Sequence, residues 1–334
     1  MRKFLAAIIT LSCLSAVPSQ AQRIRWSAPT KYDTGEHPSV SMNSSGVVIE
    51  AHEALVNNHY VLYYHVGKLD RSNGVVTWGK SQLLSTKTDA RFPSVAITEN
   101  SSVIVVFDTG TLRLRYITGT LNPTGPVDQA INIVVPDTQY DTGRTPQVSV
   151  NASGTLIEVH QNNLSDCKLF YRIGYVYPET NAPNIAWRSE AIQYEIGNTP
   201  RVSLDDQSIF VEVHREKSGS NIHYRRGTIS NNQASFGPSY FLSDVDKTGS
   251  YPSVAVTSSG FAVALVTNSG DIQSQDGPPN PLVPSKISWT GARQTIQSGG
   301  TVSSVSTDSD WIVAAWGRGG PRNYELQYST ARVP

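Results

Sequence analysis

Apolar and polar residues alternate along most of this chain in short runs separated by turn-forming residues, and no segment keeps the 3.6-residue spacing of an amphipathic helix. Pro146-Gln147-Val148-Ser149-Val150, the turn Asn151-Ala152-Ser153-Gly154, Thr155 to His160, Leu169 to Gly174 and Ile185-Ala186-Trp187 predict four successive strands. The order returns as Val47 to His52, Leu62 to Gly67 and Val76 to Trp78, and again as Phe210 to His214, Ile222 to Gly227 and Phe236. Its opening phrase starts at Pro38, Pro93, Pro146, Pro200 and Pro252, and near Ser303 without the proline, at intervals of 55, 53, 54, 52 and 51 residues. Repeats of this size predict an all-β fold, a six-bladed β-propeller with four antiparallel strands per blade. Ile24-Arg25-Trp26 reads as a fourth strand without the preceding three, and Glu325 to Tyr328 as a third with little chain left for a fourth. The N-terminal strand is therefore expected to complete the last blade, closing the ring and hiding its open edges.

The first 21 residues break this pattern. Arg2 and Lys3 precede an apolar run from Phe4 to Leu14, and Ser19-Gln20-Ala21 offers small residues for cleavage. Residues 1–21 thus read as a secretory signal peptide and residues 22–334 as one propeller domain. The expected location is secreted or periplasmic, with no membrane span elsewhere in the chain. Charge is balanced at 27 basic and 27 acidic residues, without the basic excess of a nucleic-acid binder. Cys167 is the lone cysteine beyond the signal, so no intrachain disulfide is expected. A domain this large buries enough apolar surface without one.

Comparing the repeats with one another exposes a second pattern. Strand two carries Glu50, Glu158 and Glu212 in repeats one, three and four, and strand three carries His65, Arg172 and Arg225 in the same repeats. The other repeats lack both, having Val105 with Ile117, Ala264 with Gln275, and Ala315 with Ser329. Most hairpin midpoints fall on turn sequences, so acid and base are expected to face each other across the hairpin. Two residues further, on the same face, stand His52, His160 and His214. One reading has these polar groups paired between packed blades, because buried charge needs a partner. The other makes them repeat-related ligand sites. Tyr64, Tyr171 and Tyr224 precede the bases and are expected on the opposite face. A metal shared by the three histidines is disfavoured, since second strands lie about 4.8 Å out from the innermost ones. No metal or other cofactor is expected.

Other motifs resolve as turns. Asp33-Thr34-Gly35, Asp108-Thr109-Gly110 and Asp141-Thr142-Gly143 spell the aspartic-protease triplet. Asp33 and Asp141, however, share one loop position before an inner strand, and Asp108 falls at a turn after strand two. Asn43, Asn100, Asn151 and Asn163 head N-x-S sequons in turn-like stretches. There is no nucleophile elbow and no phosphate-binding glycine loop.

Tyr32-Asp33-Thr34-Gly35, Pro38-Ser39-Val40, Val48-Ile49-Glu50-Ala51-His52, Tyr64-His65-Val66-Gly67 and Thr77-Trp78 together resemble the tandem repeats of secreted bacterial proteins. Some of those are attached to phospholipase-C-like catalytic domains, which have no counterpart here. The resemblance implies a fold and no firm activity. More distantly, a six-bladed ring with tryptophan opening its fourth strands is similar to the sialidases. Asn73 to Trp78 departs from their Asp-box, with the glycine one residue out of place and the aspartate missing.

The expectation is a secreted, lectin-like propeller that binds cell-surface carbohydrate and is not an enzyme. Its acceptors would be Glu50, Glu158 and Glu212, its donors Arg172 and Arg225, with His52, His65, His160 and His214 as further contacts. One alternative is a sialidase-like glycoside hydrolase or lyase with a single site at the central mouth. That requires carboxylates about 5–10 Å apart, with Asp70, Asp89 and Asp244 as candidates. A protein-interaction scaffold docking through Gly277 to Pro284 is the other. Fold alone decides between none of these.

Overall fold

Strands with an apolar face must bury it against another sheet, and in this chain each sheet meets a neighbour on both sides. The computed structural model describes residues 24–334 apart from 86–88, 123, 178–182, 243–247, 290–292 and 321–323. The signal-peptide reading and Asp244 lie outside those residues. Six antiparallel sheets stand as blades about one axis, and every inner strand packs against the inner strands of the blades before and after it. Blade three shows the plan from the axis outward: Arg144–Val150, Thr155–Gln161, Lys168–Val176 and Ile185–Trp187. In blades one, three and four the outer strand breaks and resumes, at Gln82–Ser85, Ile192–Ile196 and Tyr240–Phe241. Those sheets therefore hold five segments instead of the four expected.

The ring closes as predicted. Thr30–Thr34 pairs antiparallel with Glu325–Arg332 and completes blade six, while Trp26 bridges to Ala331 just upstream. Hairpin register also follows the sequence reading, with Glu50 opposite His65, Glu158 opposite Arg172 and Glu212 opposite Arg225. Blade six differs by one place: Ser329 faces Ala314, and Ala315 faces Tyr328. Asn43 and Asn151 accept from the N–H of Val47 and Thr155 to shape the first turn of their blades. Both are buried, so these sequons are closed in the folded chain.

Neighbouring inner strands form no ladder with each other, which leaves each a row of N–H groups to be satisfied. The Pro-Ser-Val-Ser phrase answers this need. Ser39, Ser94, Ser253 and Ser304 accept from Val95, Val148, Val305 and Val40 of the next blade at 3.0–3.1 Å. Two residues further, Ser41, Ser149, Ser203 and Ser306 do the same for Ile97, Leu204, Val256 and Met42. Every junction has at least one such tie. Where Gln147 and Arg201 stand in place of the upper serine, the lower one carries the junction.

Strand-three tyrosines bolt the blades together further out. Tyr64, Tyr116, Tyr171, Tyr224 and Tyr328 reach Ile131, Asn184, Ala234, Ile287 and Val76 of the following blade. Tyr64, Tyr171 and Tyr224 thus point away from the Glu-bearing face, as expected.

Blades two and three share a single serine tie, because Ala96 stands where a lower serine would. Replacing Ser94 by alanine orphans the buried Val148 N–H. Chemical denaturation should show a loss of about 1–3 kcal/mol, and a similar loss for Ser39→Ala, which orphans the Val95 N–H.

Candidate functional site

All nine residues singled out from the repeats come together at blade junctions, and all but Arg225 are buried. The outer strand of the preceding blade brings a Tyr-Asp or Tyr-Glu pair to each of these junctions. Tyr140 and Tyr194 donate to Glu158 and Glu212 at 3.0 and 2.9 Å and stack on Trp187 and Phe236. Burial, followed by the adjacent glutamate charge, pushes both phenols well above their ordinary range. His160 and His214 donate Nδ1–H to the same glutamates.

The bases do not bond the acids they face. Arg172 donates to Asp141 at 3.0 Å, and Arg225 pairs with Glu195. Asp33 and Asp141 accordingly lie not in loops of their own repeat but on the outer strand of the blade before, and Glu195 is their counterpart in a third junction. A glutamate that already accepts from tyrosine and histidine leaves the guanidinium to the second acid, which opposes it from the other blade.

Blade one departs from this plan. Tyr32 stacks on Trp78, and burial, followed by the charge of Glu50 and a hydrogen bond to it, pushes its phenol well above the ordinary range, as in the other two junctions. His52 donates Nδ1–H to Glu50 at 3.0 Å. His65, where the other two junctions have arginine, donates Nδ1–H to the Gly79 carbonyl at 2.8 Å and turns Nε2 to Asp33 Oδ2 at 2.7 Å. Burial alone would raise the Asp33 carboxyl. The contact with His65 and the Thr34 N–H outweigh it and hold the group down to about 2.

A different repeated feature surrounds the mouth where the inner strands begin. The ladder between first and second strands is bulged at this point in all six blades. In five, the residue before the repeat proline is left-handed: His37, Phe92, Thr145, Thr199 and Tyr251, with φ between 47° and 50°. That conformation costs a non-glycine residue about 1–3 kcal/mol, and bulges re-aim side chains at rims and active sites. The backbone feature repeats across four residue types.

Second-strand ends tie these bulges down. Glu53 accepts from Phe92 N at 2.7 Å, Asp108 from Thr145 N at 2.9 Å and Gln161 from Thr199 N at 3.5 Å. The fourth member is Arg215, which has no acceptor, and its Nε is buried without a partner. Glu53 also takes Nδ1–H of His37 at 2.7 Å and lies 3.7 Å from Arg91. Burial pushes the Asp108 carboxyl up to about 7, with the Thr145 N–H and Arg144 opposing the rise.

Between blades three and five the mouth deepens into a cavity of about 200 Å³. Phe92 and Tyr251 give it aromatic walls, Arg144 and Arg215 its cations, and Gln161 and Asn198 its amides. Among the described residues no carboxylate lines it. Arg201 stands beside Tyr251, its guanidinium lowered to about 10 by burial. Two of the acids expected at the mouth lie elsewhere: Asp70 caps an exposed turn through Ser72 and Asn73, and Asp89 is exposed beside His59. Asp108 is not in a turn either but in the strand Ser102–Thr109. Glu53 and Asp108 were missed because repeat comparison favours positions that stay the same. The signal was the residue before each proline, which is histidine, phenylalanine, threonine twice and tyrosine.

No family model matches this chain, and no curated protein is similar to it in sequence. Solved structures share its fold. A protein of unknown function from Dyadobacter fermentans superimposes with a TM-score of 0.59 at 10% identity, covering 92% of this chain and 100% of the other. Trypanosoma rangeli sialidase in complex with the inhibitor DANA gives 0.60 at 12%, covering 89% of this chain and 55% of the sialidase. Penicillium chrysogenum α-L-arabinanase complexed with arabinobiose gives 0.59 at 11%, covering 92% and 98%. The chain has a sialidase-like six-bladed propeller fold.

Proposed function

We propose that this is a carbohydrate-binding propeller with one site, at the mouth, taking a sugar that carries a carboxylate. The observation that carries the reading is the cavity in which Arg144 and Arg215 meet aromatic and amide side chains, with no acid among the described residues that line it. Arginine pairs with carboxylate through two parallel hydrogen bonds, while Phe92 and Tyr251 offer flat apolar faces to a sugar ring. A solved neighbour of the same fold holds sialic acid, an acidic sugar. The repeat-related residues Glu50, Glu158, Glu212 and their partners serve this reading as supports, since buried side chains offer a glycan no surface. An export signal over residues 1–21 and a secreted or periplasmic location suit such a ligand.

The deciding experiment is a glycan array of acidic and neutral sugars, with the wild type beside Arg144→Ala and Arg215→Ala. Saturable binding of acidic glycans, weakened roughly 10- to 100-fold by either substitution as the loss of a charged hydrogen bond implies, supports the site. Binding confined to neutral glycans, or indifferent to both substitutions, refutes it.

A second reading, glycoside hydrolysis, rests on Asp108. A carboxyl pushed up to about 7 with a second carboxyl nearby is what general-acid catalysis needs, and Glu53 is that neighbour. Activity on an acidic glycoside should then fall as pH rises through about 7. Asp108→Asn should lower kcat by about 10²-fold or more with little change in KM.

The same carboxyl makes a prediction that needs no substrate. Its folded-state value of about 7 lies above the unfolded value of about 3.9. The stability it contributes is complete below pH ~4 and is lost as pH rises through about 7. Thermal melts of wild type and Asp108→Asn from pH 4 to 8 should show the variant gaining on the wild type across that window.

A further inference from the structure

We infer that Asp33, His52 and His65 form a site for a divalent zinc-type ion at the junction of blades six and one. The inference is independent of the reading of the mouth.

Hydrogen-bond direction supplies the first argument. A carbonyl and a carboxylate can only accept, so His65 must donate from Nδ1 to Gly79, and His52 from Nδ1 to Glu50. Both Nε2 atoms then face one carboxylate oxygen, Asp33 Oδ2, at 2.7 Å from His65 and 3.7 Å from His52. Such a point is a place for a shared cation, which is a proton on His65 when the site is empty and a metal ion when it is filled. The three ligand atoms lie within 4.8 Å of one another. Around tetrahedral zinc, with bonds of about 2.0–2.1 Å, such atoms stand roughly 3.3 Å apart. Small side-chain shifts suffice.

The other junctions supply the second. In blades three and four the same position holds Arg172 or Arg225, paired with the acid of the preceding blade. A fixed positive charge thus accompanies two carboxylates at each. Blade one keeps both carboxylates, Glu50 and Asp33, but has the shorter His65 in place of arginine. Space and charge left by the arginine fit a metal ion.

The surroundings match what metal-bound histidines require. Each ring has its second nitrogen oriented by a carboxylate or carbonyl, and Tyr63 and Tyr32 pack against His52 and His65. Asp33 keeps 26% of its side chain exposed, which provides an entry path and room for water as a fourth ligand. Two histidines and a carboxylate form a donor set suited to zinc. Glu36, His37 and Glu53 also cluster, but that group has one histidine, and both Glu53 oxygens are already engaged.

The test is calorimetric titration of the full chain with Zn²⁺, in parallel with His65→Arg, which rebuilds the arrangement of blades three and four. The wild type should bind one Zn²⁺ per chain. At a hundredfold excess over Kd its Tm should rise by about 4 °C, reversibly with EDTA. His65→Arg should keep a Tm near that of the metal-free wild type and bind Zn²⁺ at least 100-fold more weakly. Asp33→Asn, with the volume unchanged, should weaken binding at least 10-fold and stands in if the arginine variant does not fold. Absence of saturable Zn²⁺ binding by the wild type overturns the inference, as does binding unchanged in the variants.

Discussion

Six strands gathered round an axis cannot all be sheet neighbours, and the N–H groups they turn toward one another have to be satisfied by something other than a ladder. Serine does this here with the smallest side chain available. A hydroxyl on one inner strand accepts the N–H of the next, at one or two levels per junction. Everything further out inherits this spacing. With the inner strands locked at a fixed separation, the outer strands diverge, and the wedge between blades must be filled by progressively larger side chains. The strand-three tyrosines and fourth-strand tryptophans are the largest of these fillers.

That wedge is filled by two chemistries. Between blades one and two, Val66, Val105, Phe107 and Ile117 pack apolar surface against apolar surface, and Val213, Tyr224, Val254 and Ala264 do so between four and five. The junctions ahead of blades one, three and four instead bury a glutamate and a histidine beside a tyrosine and a partly exposed second acid. Buried charge of this kind adds little stability unless every group is bonded. Two of these junctions answer with arginine and the third with His65.

Much of this was legible before any coordinates. Blade number, strand order, ring closure and most hairpin registers follow from spacing alone, because a repeat puts equivalent residues in equivalent places. The sequence also linked Glu50 with His65, Glu158 with Arg172 and Glu212 with Arg225, and these do sit opposite one another. It could not say that each base turns instead to the acid of the previous blade. That contact depends on how two sheets are set against each other, which no pattern within one hairpin encodes. The mouth was hidden for a related reason. Glu53, Asp108, Gln161 and Arg215 hold one structural position with three different chemistries, carboxylate, amide and guanidinium, and a search for similarity passes over such a place.

The strand Thr30–Thr34 belongs to blade six by its pairing, yet its neighbour in the chain is the inner strand of blade one. Tyr32 and Asp33 on it reach back to Trp78 and His65 of that first blade. The strand is therefore held from two directions, by Glu325–Arg332 and by blade one. Pairing of such long sequence separation is slow to form. Once formed, it ties the last blade to the first, so that neither can be peeled away without opening the other.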